Sequence, residues 1–395
     1  MMKFLAYLAC YCLYPFSFLF PRNKWKWAFG SFRGAFNDNA KYLFIHVSEQ
    51  MPEIQSVWLS INRKTVREIR EKGLRAHFIL SPKGVWFALT SKYWFFNAYA
   101  SDIMFCLSGG ATLVNLWHGL PLKRIEFDID SGPLADRYVK KTLKERFFHP
   151  EVFKRPDYVL SSSPMFAEVF ARSFRVLPGR CLNFGYPRNE ILTWEEEKRL
   201  GFIERYEPLT TQELIAETQR FERVFVYLPT WRDSQAYFDA KYFDFNALEA
   251  AMCEQNALFL LKPHPNTKID AKLFDGLEHI MLIPNNNDIY PLLSYTDVLV
   301  TDYSSIMYDY LWMKGKEMVL YLYDYQEYER DRDFVWPFNE MTVGRKAYDF
   351  PTLLEMLQTP SNQLDGEEWG RLAEKCWGNG TSNACEQIAS FFQQS

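Results

Sequence analysis

Short apolar runs alternate with amphipathic segments along most of the chain. Residues 57–60, 224–228 and 258–261 are apolar runs with the length of buried strands. Residues 39–47 instead carry apolar side chains three and four positions apart, which predicts a helix. Because strands that alternate with helices form right-handed βαβ units, the pattern predicts an α/β protein with mostly parallel sheets.

The alternation occurs twice, and at 395 residues the chain is too long for one ordinary core. Residues 193–220 are rich in Glu, Gln and Thr, and we interpret them as a linker and an irregular connection. The predicted organisation is an apolar membrane-associating segment (1–24), two Rossmann-like domains (25–192 and 193–378) and a closing helix (379–395).

The first segment has no charge from residue 4 to residue 20, and basic residues flank it. This length, interrupted by Pro15, is short for a membrane span, which needs about 20 apolar residues. No small-residue cleavage site follows, which disfavours a signal peptide. Two interpretations stay open: a helix in the interface of an anionic membrane, or a core helix of the first domain.

A second basic and aromatic segment covers residues 137–155, where seven Lys or Arg side chains stand against two Glu and three Phe are interleaved. Such a run is typical of a solvated helix face. With these aromatics it also fits a membrane surface or a polyanionic acceptor.

Composition excludes several functions. A net charge of −4 argues against a basic nucleic-acid binder, so no nucleic-acid partner is expected. The seven cysteines form no CxxC pair, which predicts reduced thiols and no zinc site. The chain has no GxxxxGK[ST] loop and no GxGxxG after a strand, which excludes a P-loop NTPase and disfavours a dinucleotide oxidoreductase. Residues 331–333 resemble a DxD metal motif but lie in a charged run, so no obligatory metal is predicted.

Three predicted strands of the second half end in polar residues. In a parallel sheet these ends lie on one rim, where open α/β sheets bind their ligands. Hydroxyls, cations and a helix start at such a rim favour an anion such as phosphate, although strand ends and helix caps commonly carry these residue types. The candidates are Thr230 and Arg232, then Lys262 and His264, then Thr301, Asp302, Ser304 and Ser305.

In the first half, residues 112–119 are predicted to form a buried strand that ends in Trp117, His118 and Gly119. His118 is therefore expected at the carboxyl edge of the first sheet. A lone histidine is usually structural, but a histidine on a turn at this edge is also a candidate functional residue.

Several motifs together resemble those of the CDP-glycerol glycerophosphotransferases, the primases and polymerases of teichoic-acid-type and capsule polymers. The resemblance runs in order from about residue 25 to residue 335. Supporting fragments are residues 38–43, 229–232 and 321–324. The main motifs are Trp117-His118-Gly119, Lys262-Pro263-His264-Pro265, and Thr301-Asp302-Tyr303-Ser304-Ser305 followed by Asp309.

The resemblance implies a GT-B fold, in which two Rossmann-like domains with parallel sheets face each other across a cleft. The first domain would hold the acceptor and the second the CDP-activated donor. The implied reaction moves a polyol phosphate from CDP-glycerol to an acceptor hydroxyl and releases CMP. Because attack is at phosphorus, the reaction needs no pair of carboxylates.

Roles follow for the matching residues. His118 would be the general base, with Asp38 as a second-rank candidate. His264 and Arg232 would bind the pyrophosphate and stabilise the leaving CMP. The remaining implied roles are donor phosphate or nucleotide binding for Thr230, Lys262, Thr301, Asp302, Ser304 and Ser305, and support for Asp309 and Gly119.

The implied partners are a CDP-activated polyol, a lipid-linked or polymeric glycan acceptor and the inner membrane surface. The expected location is the cytoplasmic face of the bacterial cell membrane, with peripheral attachment and no cofactor. Three alternatives stay open: a GT-B glycosyltransferase that uses a CMP- or UDP-sugar, a CDP-ribitol ribitolphosphotransferase, and a non-catalytic scaffold in polymer export.

Overall fold

The structure, a computed structural model, divides by its internal contacts into two compact units. Unit 1 comprises Met1–Leu120, Arg124–Glu190 and Cys376–Ser395, and unit 2 comprises Pro121–Lys123 and Ile191–Lys375. The residues that the structure describes are 2–132, 134–231, 240–264, 267–285, 287–331, 333–359, 366–378 and 383–394.

Unit 1 contains a parallel sheet of seven strands in the order β3-β2-β1-β4-β5-β6-β7. The strands are β1 (Asn23–Phe29), β2 (Gln55–Ser60), β3 (Ala76–Phe78), β4 (Ser91–Phe96), β5 (Thr112–Asn115), β6 (Tyr158–Ser161) and β7 (Cys181–Asn183). The first eight helices are α1 (Met2–Phe16), α2 (Asp38–Gln50), α3 (Arg63–Glu71), α4 (Pro82–Thr90), α5 (Ala135–Tyr138), α6 (Leu143–Phe148), α7 (Pro150–Phe153) and α8 (Pro164–Phe174).

Unit 2 contains a parallel sheet of six strands in the order β10-β9-β8-β11-β12-β13. The strands are β8 (Arg223–Leu228), β9 (Ala257–Leu261), β10 (Ile280–Leu282), β11 (Val298–Thr301), β12 (Glu317–Tyr321) and β13 (Arg345–Ala347). The next eight helices are α9 (Glu196–Tyr206), α10 (Leu209–Thr218), α11 (Phe245–Glu254), α12 (Tyr290–Leu293), α13 (Ile306–Tyr310), α14 (Tyr325–Asp331), α15 (Phe350–Gln358) and α16 (Glu367–Trp377).

Each sheet reverses its strand order at one position, and this position locates the site. In unit 1 the reversal lies between β1 and β4, which pair in parallel with Phe29 opposite Phe95. In unit 2 it lies between β8 and β11, with Thr301 opposite Leu228. Connections that leave the carboxyl ends of such a strand pair diverge to opposite faces of the sheet, which opens a crevice for ligands.

The predicted linker over residues 193–220 is wrong, because this stretch forms α9 and α10. Both helices are largely polar and bury only a few side chains, such as Ile203, Tyr206 and Ile215. The sparse apolar residues on one face are sufficient for two surface helices of unit 2.

Several element boundaries also differ from the prediction. β5 ends at Asn115, so Trp117, His118 and Gly119 lie in the connection that follows it. α13 is a single turn and begins after Ser305. The three-residue strands β7 and β13 were not predicted, because so short a run carries too little apolar pattern.

The first helix packs along unit 1 on one side and exposes apolar side chains on the other. The Tyr14 ring stacks on Phe105 at 4.8 Å, and Phe4 stacks on Phe147 of α6 at 5.1 Å. Leu5 and Leu8 remain 54% and 47% exposed. Among the described residues, no helix has both the length and the apolar character to cross a membrane.

The last described helix, α17 (Ala384–Gln394), belongs to unit 1 although unit 2 precedes it in the chain. Its Phe392 ring packs against Tyr93 and Phe95 of β4 at 5.1 and 5.3 Å. The backbone N–H of Cys385 donates to the Glu190 carboxylate at 2.7 Å. Unit 1 is therefore built from both ends of the printed sequence.

Candidate active site

The imidazole of His118 is fixed by the neighbouring strand of unit 1. The Trp117 backbone is left-handed (φ 52°), and its N–H donates to the Asn115 side-chain oxygen at 2.9 Å. This turn places His118 Nδ1 3.1 Å from the carbonyl oxygen of Asn97, the residue that follows β4. Because a carbonyl only accepts, Nδ1 carries the hydrogen, and Nε2 is the nitrogen with a free lone pair.

Within the described part of the chain, Nε2 of His118 makes no hydrogen bond. Although the side chain has an exposed edge, the surrounding protein disfavours the charged imidazolium and lowers the pKa of His118. The carboxylate of Asp38 opposes this shift, and the Arg188 guanidinium adds to it. His118 is therefore a neutral base with an available nitrogen at neutral pH.

Buried asparagines hold the loop around His118. The Asn39 side-chain amide donates to the carbonyls of Leu116 and Trp117 at 3.2 and 3.0 Å. The Asn97 side-chain oxygen accepts from the Ala40 backbone N–H at 3.0 Å, which fixes the start of α2. These contacts join three segments at the carboxyl edge of the sheet, so the position of His118 is determined by the fold.

Asp38 lies beside this network but is not a free base. Its backbone is left-handed (φ 62°), and Oδ1 accepts from the Asn39 backbone N–H at 2.7 Å. The same oxygen receives Nη1 of Arg188, also at 2.7 Å. Oδ1 of Asp38, the second-rank candidate base of the sequence analysis, is thus engaged by two donors.

Sequence analysis did not select Arg188. The Gly185-Tyr186-Pro187-Arg188 turn was visible in the sequence, but the strand that precedes it, β7, is too short to be predicted, so the turn was not recognised as a strand end. An arginine in a turn is commonly a solvated surface residue, whereas here the side chain is almost completely buried.

In unit 2, the tips of β8 and β11 are joined by Asp302. Its carboxylate accepts the backbone N–H of Thr230 at 2.9 and 3.1 Å and that of Tyr303 at 2.6 Å. The side chain is fully buried. A buried carboxylate that accepts backbone N–H groups fits a role in shaping this turn better than the phosphate contact that the resemblance implies.

Two further predicted phosphate ligands have their donors engaged elsewhere. Thr301 is fully buried, and its hydroxyl donates to the carbonyl of Leu228 at 2.7 Å. The Lys262 ammonium donates to the carbonyl of Pro284 at 2.9 Å, and burial lowers the pKa of Lys262 to about 8. These bonds join the Thr301 side chain to the sheet and the Lys262 side chain to the loop after β10, and phosphate binding by both residues stays a prediction.

The remaining candidates of unit 2 lie at neighbouring strand ends. His264 follows β9 and stacks on Trp231, which follows β8, at 6.0 Å. Ser304 and Ser305 are half-buried, and only a long 3.5 Å contact joins the Ser304 hydroxyl to the Ile306 N–H. With only five residues in α13, the helix dipole contributes little, so an anion at this turn would depend mainly on the two hydroxyls.

The other selected residues are placed as follows. Asp309 is buried and accepts the Tyr290 hydroxyl at 2.6 Å, which agrees with a structural acceptor. Gly119 is buried directly after His118. Arg232 lies outside the described residues. Of the residues that the structure describes, no group of three His, Cys, Asp or Glu side chains is arranged to hold a metal ion. The absence of an obligatory metal stays a prediction.

The chain has two units, and each contains a parallel sheet in Rossmann strand order. Residues suited to ligand binding lie near the reversal point of each sheet. This architecture is that of the GT-B class of α/β transferases. The solved structure of the wall teichoic acid polymerase TagF shares this fold with a TM-score of 0.74 and 23% identity, over 94% of this chain and 89% of that one. The model of the family described as CDP-glycerol:poly(glycerophosphate) glycerophosphotransferase matches residues 12–386. The chain belongs to that family.

Relatives of known function agree with the predicted fold and activity. A teichoic acid poly(glycerol phosphate) polymerase of Bacillus spizizenii is 26% identical, over 88% of this chain and 87% of the relative. A teichoic acid glycerol-phosphate transferase of Staphylococcus aureus is 29% identical, over 84% and 82%. A ribitol-phosphate primase of B. spizizenii is 24% identical, over 70% and 68%. The family prediction is therefore confirmed, and glycerol phosphate and ribitol phosphate both occur among the relatives.

Proposed function

We propose that the protein transfers glycerol phosphate from CDP-glycerol to an acceptor hydroxyl and releases CMP. The observation that carries the proposal is the state of His118, whose Nδ1 is held by the Asn97 carbonyl while Nε2 is free to accept a proton. Family membership supports the donor.

In the proposed reaction, Nε2 of His118 removes the proton from the acceptor hydroxyl. The acceptor oxygen attacks the phosphorus that carries glycerol, and the bond from this phosphorus to the oxygen shared with the CMP phosphate breaks. A new phosphodiester forms, CMP leaves with the electron pair, and His118 keeps the proton. His264, Ser304 and Ser305 stabilise the charge on the diphosphate with their donors.

The decisive measurement is CMP release from CDP-glycerol with His118→Asn. We expect release to fall by a factor of about 100 or more, since general-base catalysis typically contributes this much. The dissociation constant for CDP-glycerol should stay within a factor of about two, because His118 contacts the acceptor. His77→Asn, which changes a histidine of β3 outside the site, is the matched control. If donor binding is lost with His118→Asn, the residue belongs to the donor side.

A donor panel decides between the remaining activities. Ribitol-phosphate transfer is the second candidate, because a ribitol-phosphate primase and ribitol-phosphate polymerases are among the relatives. Faster CMP release from CDP-ribitol than from CDP-glycerol would indicate this activity. Turnover only with a CMP- or UDP-sugar would indicate a glycosyltransferase. No donor-dependent turnover with any acceptor would support a scaffold.

We also propose that unit 1 binds the cytoplasmic membrane surface, where a lipid-linked acceptor is available. The two segments that the sequence singled out lie together, since the Tyr11 hydroxyl of α1 donates to the carbonyl of Arg146 in α6 at 2.8 Å. The apolar surface, defined as Phe4, Leu5, Leu8 and Leu143, has 50%, 54%, 47% and 86% of each side chain exposed, and Lys140, Lys141 and Lys144 border it.

Liposome flotation tests this proposal. Leu8→Glu should reduce binding to vesicles of anionic lipid by a factor of ten or more, because it puts a charge into the apolar surface. The control Leu177→Glu changes an apolar residue that is 74% exposed elsewhere on unit 1 and should bind as the unchanged protein does. Raising the salt concentration should weaken binding if the lysines contribute. Equal binding of both variants would exclude this surface.

A further inference from the structure

Arg188 is 3% exposed, and both its backbone and its side chain form hydrogen bonds to residues around His118. Its backbone N–H donates to the Asn39 side-chain oxygen at 3.2 Å. Its Nη1 atom donates to Asp38 Oδ1 at 2.7 Å and to the carbonyl oxygen of His118 at 3.0 Å. One guanidinium nitrogen therefore bridges the backbone of His118 and the carboxylate nearest to it.

The same arrangement balances two charges beside the imidazole. The Asp38 carboxylate favours the protonated ring and the Arg188 guanidinium disfavours it. A second carboxyl, Asp102, accepts the backbone N–H groups of Asn97 and Ala98 at 3.1 and 2.8 Å, and the Ala98 N–H belongs to the same peptide group as the Asn97 carbonyl that holds His118. Burial raises the pKa of Asp102 to about 7, so this group carries only part of a charge near neutral pH.

We propose that Arg188 is a positioning residue for His118. Its Nη1 atom holds the His118 backbone in place, and its charge offsets that of Asp38, so that the imidazole remains an unprotonated base. The inference deepens the function proposed above and rests on it. Asp38 then has a role as the partner of Arg188 and takes no proton from the acceptor.

Four variants separate the effect of the hydrogen-bond geometry of Arg188 from the effect of its charge. Arg188→Lys keeps the charge, but one ammonium on a flexible stem lacks the planar geometry that bridges Asp38 and His118. Arg188→Met removes the charge and keeps an unbranched side chain of similar length. Asp38→Asn removes the opposite charge, and asparagine tolerates the left-handed backbone at this position. The double variant Asp38→Asn/Arg188→Met removes both charges.

The first measurement is an NMR titration of the imidazole in the full chain labelled at histidine. The chain has six histidines, and His118→Asn assigns the signal. The His118 midpoint should move to higher pH in Arg188→Met, to lower pH in Asp38→Asn, and return toward the original value in the double variant. Arg188→Lys should leave it nearly unchanged. If Arg188 had only a structural role, the His118 midpoint would not move in opposite directions in Arg188→Met and Asp38→Asn. Absence of these opposite shifts would overturn the proposal.

The second measurement is the rate of CMP release. In Arg188→Lys we expect kcat to fall by roughly 10- to 100-fold, since small displacements of a base have effects of this size, with KM for CDP-glycerol nearly unchanged. A raised KM with an unchanged kcat would instead place Arg188 on the donor. Circular dichroism checks folding of each variant. If Arg188→Met does not fold, the shift of the His118 midpoint to lower pH in Asp38→Asn tests the effect of charge.

The two measurements fail independently. The titration needs no donor, acceptor or turnover, so it reports on Arg188 even if CDP-glycerol is not the substrate. Absence of CMP release from the unchanged protein would refute the proposed function, whereas an unshifted His118 midpoint would refute only the role of Arg188.

Discussion

The Thr301 hydroxyl donates to the Leu228 carbonyl at 2.7 Å, across the two strands on either side of the reversal point in unit 2. Ser304 and Ser305 follow within four residues, but their side chains are half-buried and carry no comparable bond. The three hydroxyls of this short motif therefore differ: that of Thr301 bonds within the sheet, and those of Ser304 and Ser305 lie at its edge.

Substitution should separate these functions. Thr301→Val removes a buried hydrogen bond and should lower the free energy of unfolding by about 1–3 kcal/mol, because the Leu228 carbonyl loses its hydroxyl donor. Its dissociation constant for CDP-glycerol should hardly change. Ser304→Ala and Ser305→Ala should weaken donor binding roughly tenfold, as loss of a charge-assisted hydrogen bond does, without lowering stability. Calorimetric titration and denaturant unfolding measure both quantities, and a large loss of affinity in Thr301→Val would contradict the assignment.

Most of the fold was predictable because parallel strands are buried on both faces. β9 and β12 consist of five buried residues each, and such apolar runs are visible without a structure. The surface helices α9 and α10 were missed for the opposite reason, since each buries only three side chains and most of the others are polar. Short edge strands such as β13 are set by pairing with their neighbour, which no local pattern shows.

The site was predictable as residue types at strand ends, but not as hydrogen-bond partners. The motif around His118 pointed to the correct edge of unit 1. Whether a hydroxyl or carboxylate is available depends on which distant group it bonds, as the Leu228 carbonyl shows for Thr301 and the Arg188 guanidinium for Asp38. These pairs are 73 and 150 residues apart, so the sequence around either member carries no sign of the other.

His264→Ala should affect the donor as well as turnover. The imidazole lies at the end of β9 and stacks on Trp231, so its removal should weaken CDP-glycerol binding by a factor of ten or more and also reduce CMP release. The control is His279→Ala, which changes a histidine just before β10 whose Nδ1 contacts the Ala257 carbonyl. An unchanged donor dissociation constant in His264→Ala would remove this residue from the diphosphate site.

Glu126 should make stability depend on pH. Its Oε1 accepts the hydroxyls of Tyr99 and Tyr138 at 2.5 and 3.0 Å, and burial raises the pKa of Glu126 to about 7. Because the folded protein binds this proton more tightly than the unfolded chain, the stabilisation is complete below about pH 4.3 and is lost as pH rises through 7. The loss approaches about 3 kcal/mol.

Unfolding of Glu126→Gln in denaturant at several pH values tests this sign. A neutral amide has no proton to lose, so the variant should gain stability relative to the unchanged protein as pH rises from 5 to 8. Glu71→Gln, at an exposed position of α3, should show no such trend. A difference that grows toward acidic pH would contradict the expected direction. Asp102, with its raised pKa, retains part of the dependence in the variant.

Arg22 should be important for stability although no carboxylate of the described residues pairs with it. Its guanidinium donates to the carbonyls of Ala88 and Leu107 at 2.5 and 2.9 Å, and also to those of Ser91 and Gly109. Arg22→Met leaves these acceptors without their donor, and the free energy of unfolding should fall by about 3 kcal/mol or more. Arg67→Met, which breaks only an exposed pair with Glu71, should cost less than about 1 kcal/mol. Equal effects in thermal melts would contradict this role.

The position of α17 has a consequence for biosynthesis. Phe392 covers Tyr93 and Phe95, yet it is translated after the whole of unit 2. While the ribosome makes unit 2, α17 does not yet cover these aromatic rings. The nascent unit 1 therefore exposes an apolar surface that can bind chaperones or aggregate. All six strands of the unit 2 sheet precede α17 in the chain, so that sheet can form before unit 1 receives its last helix.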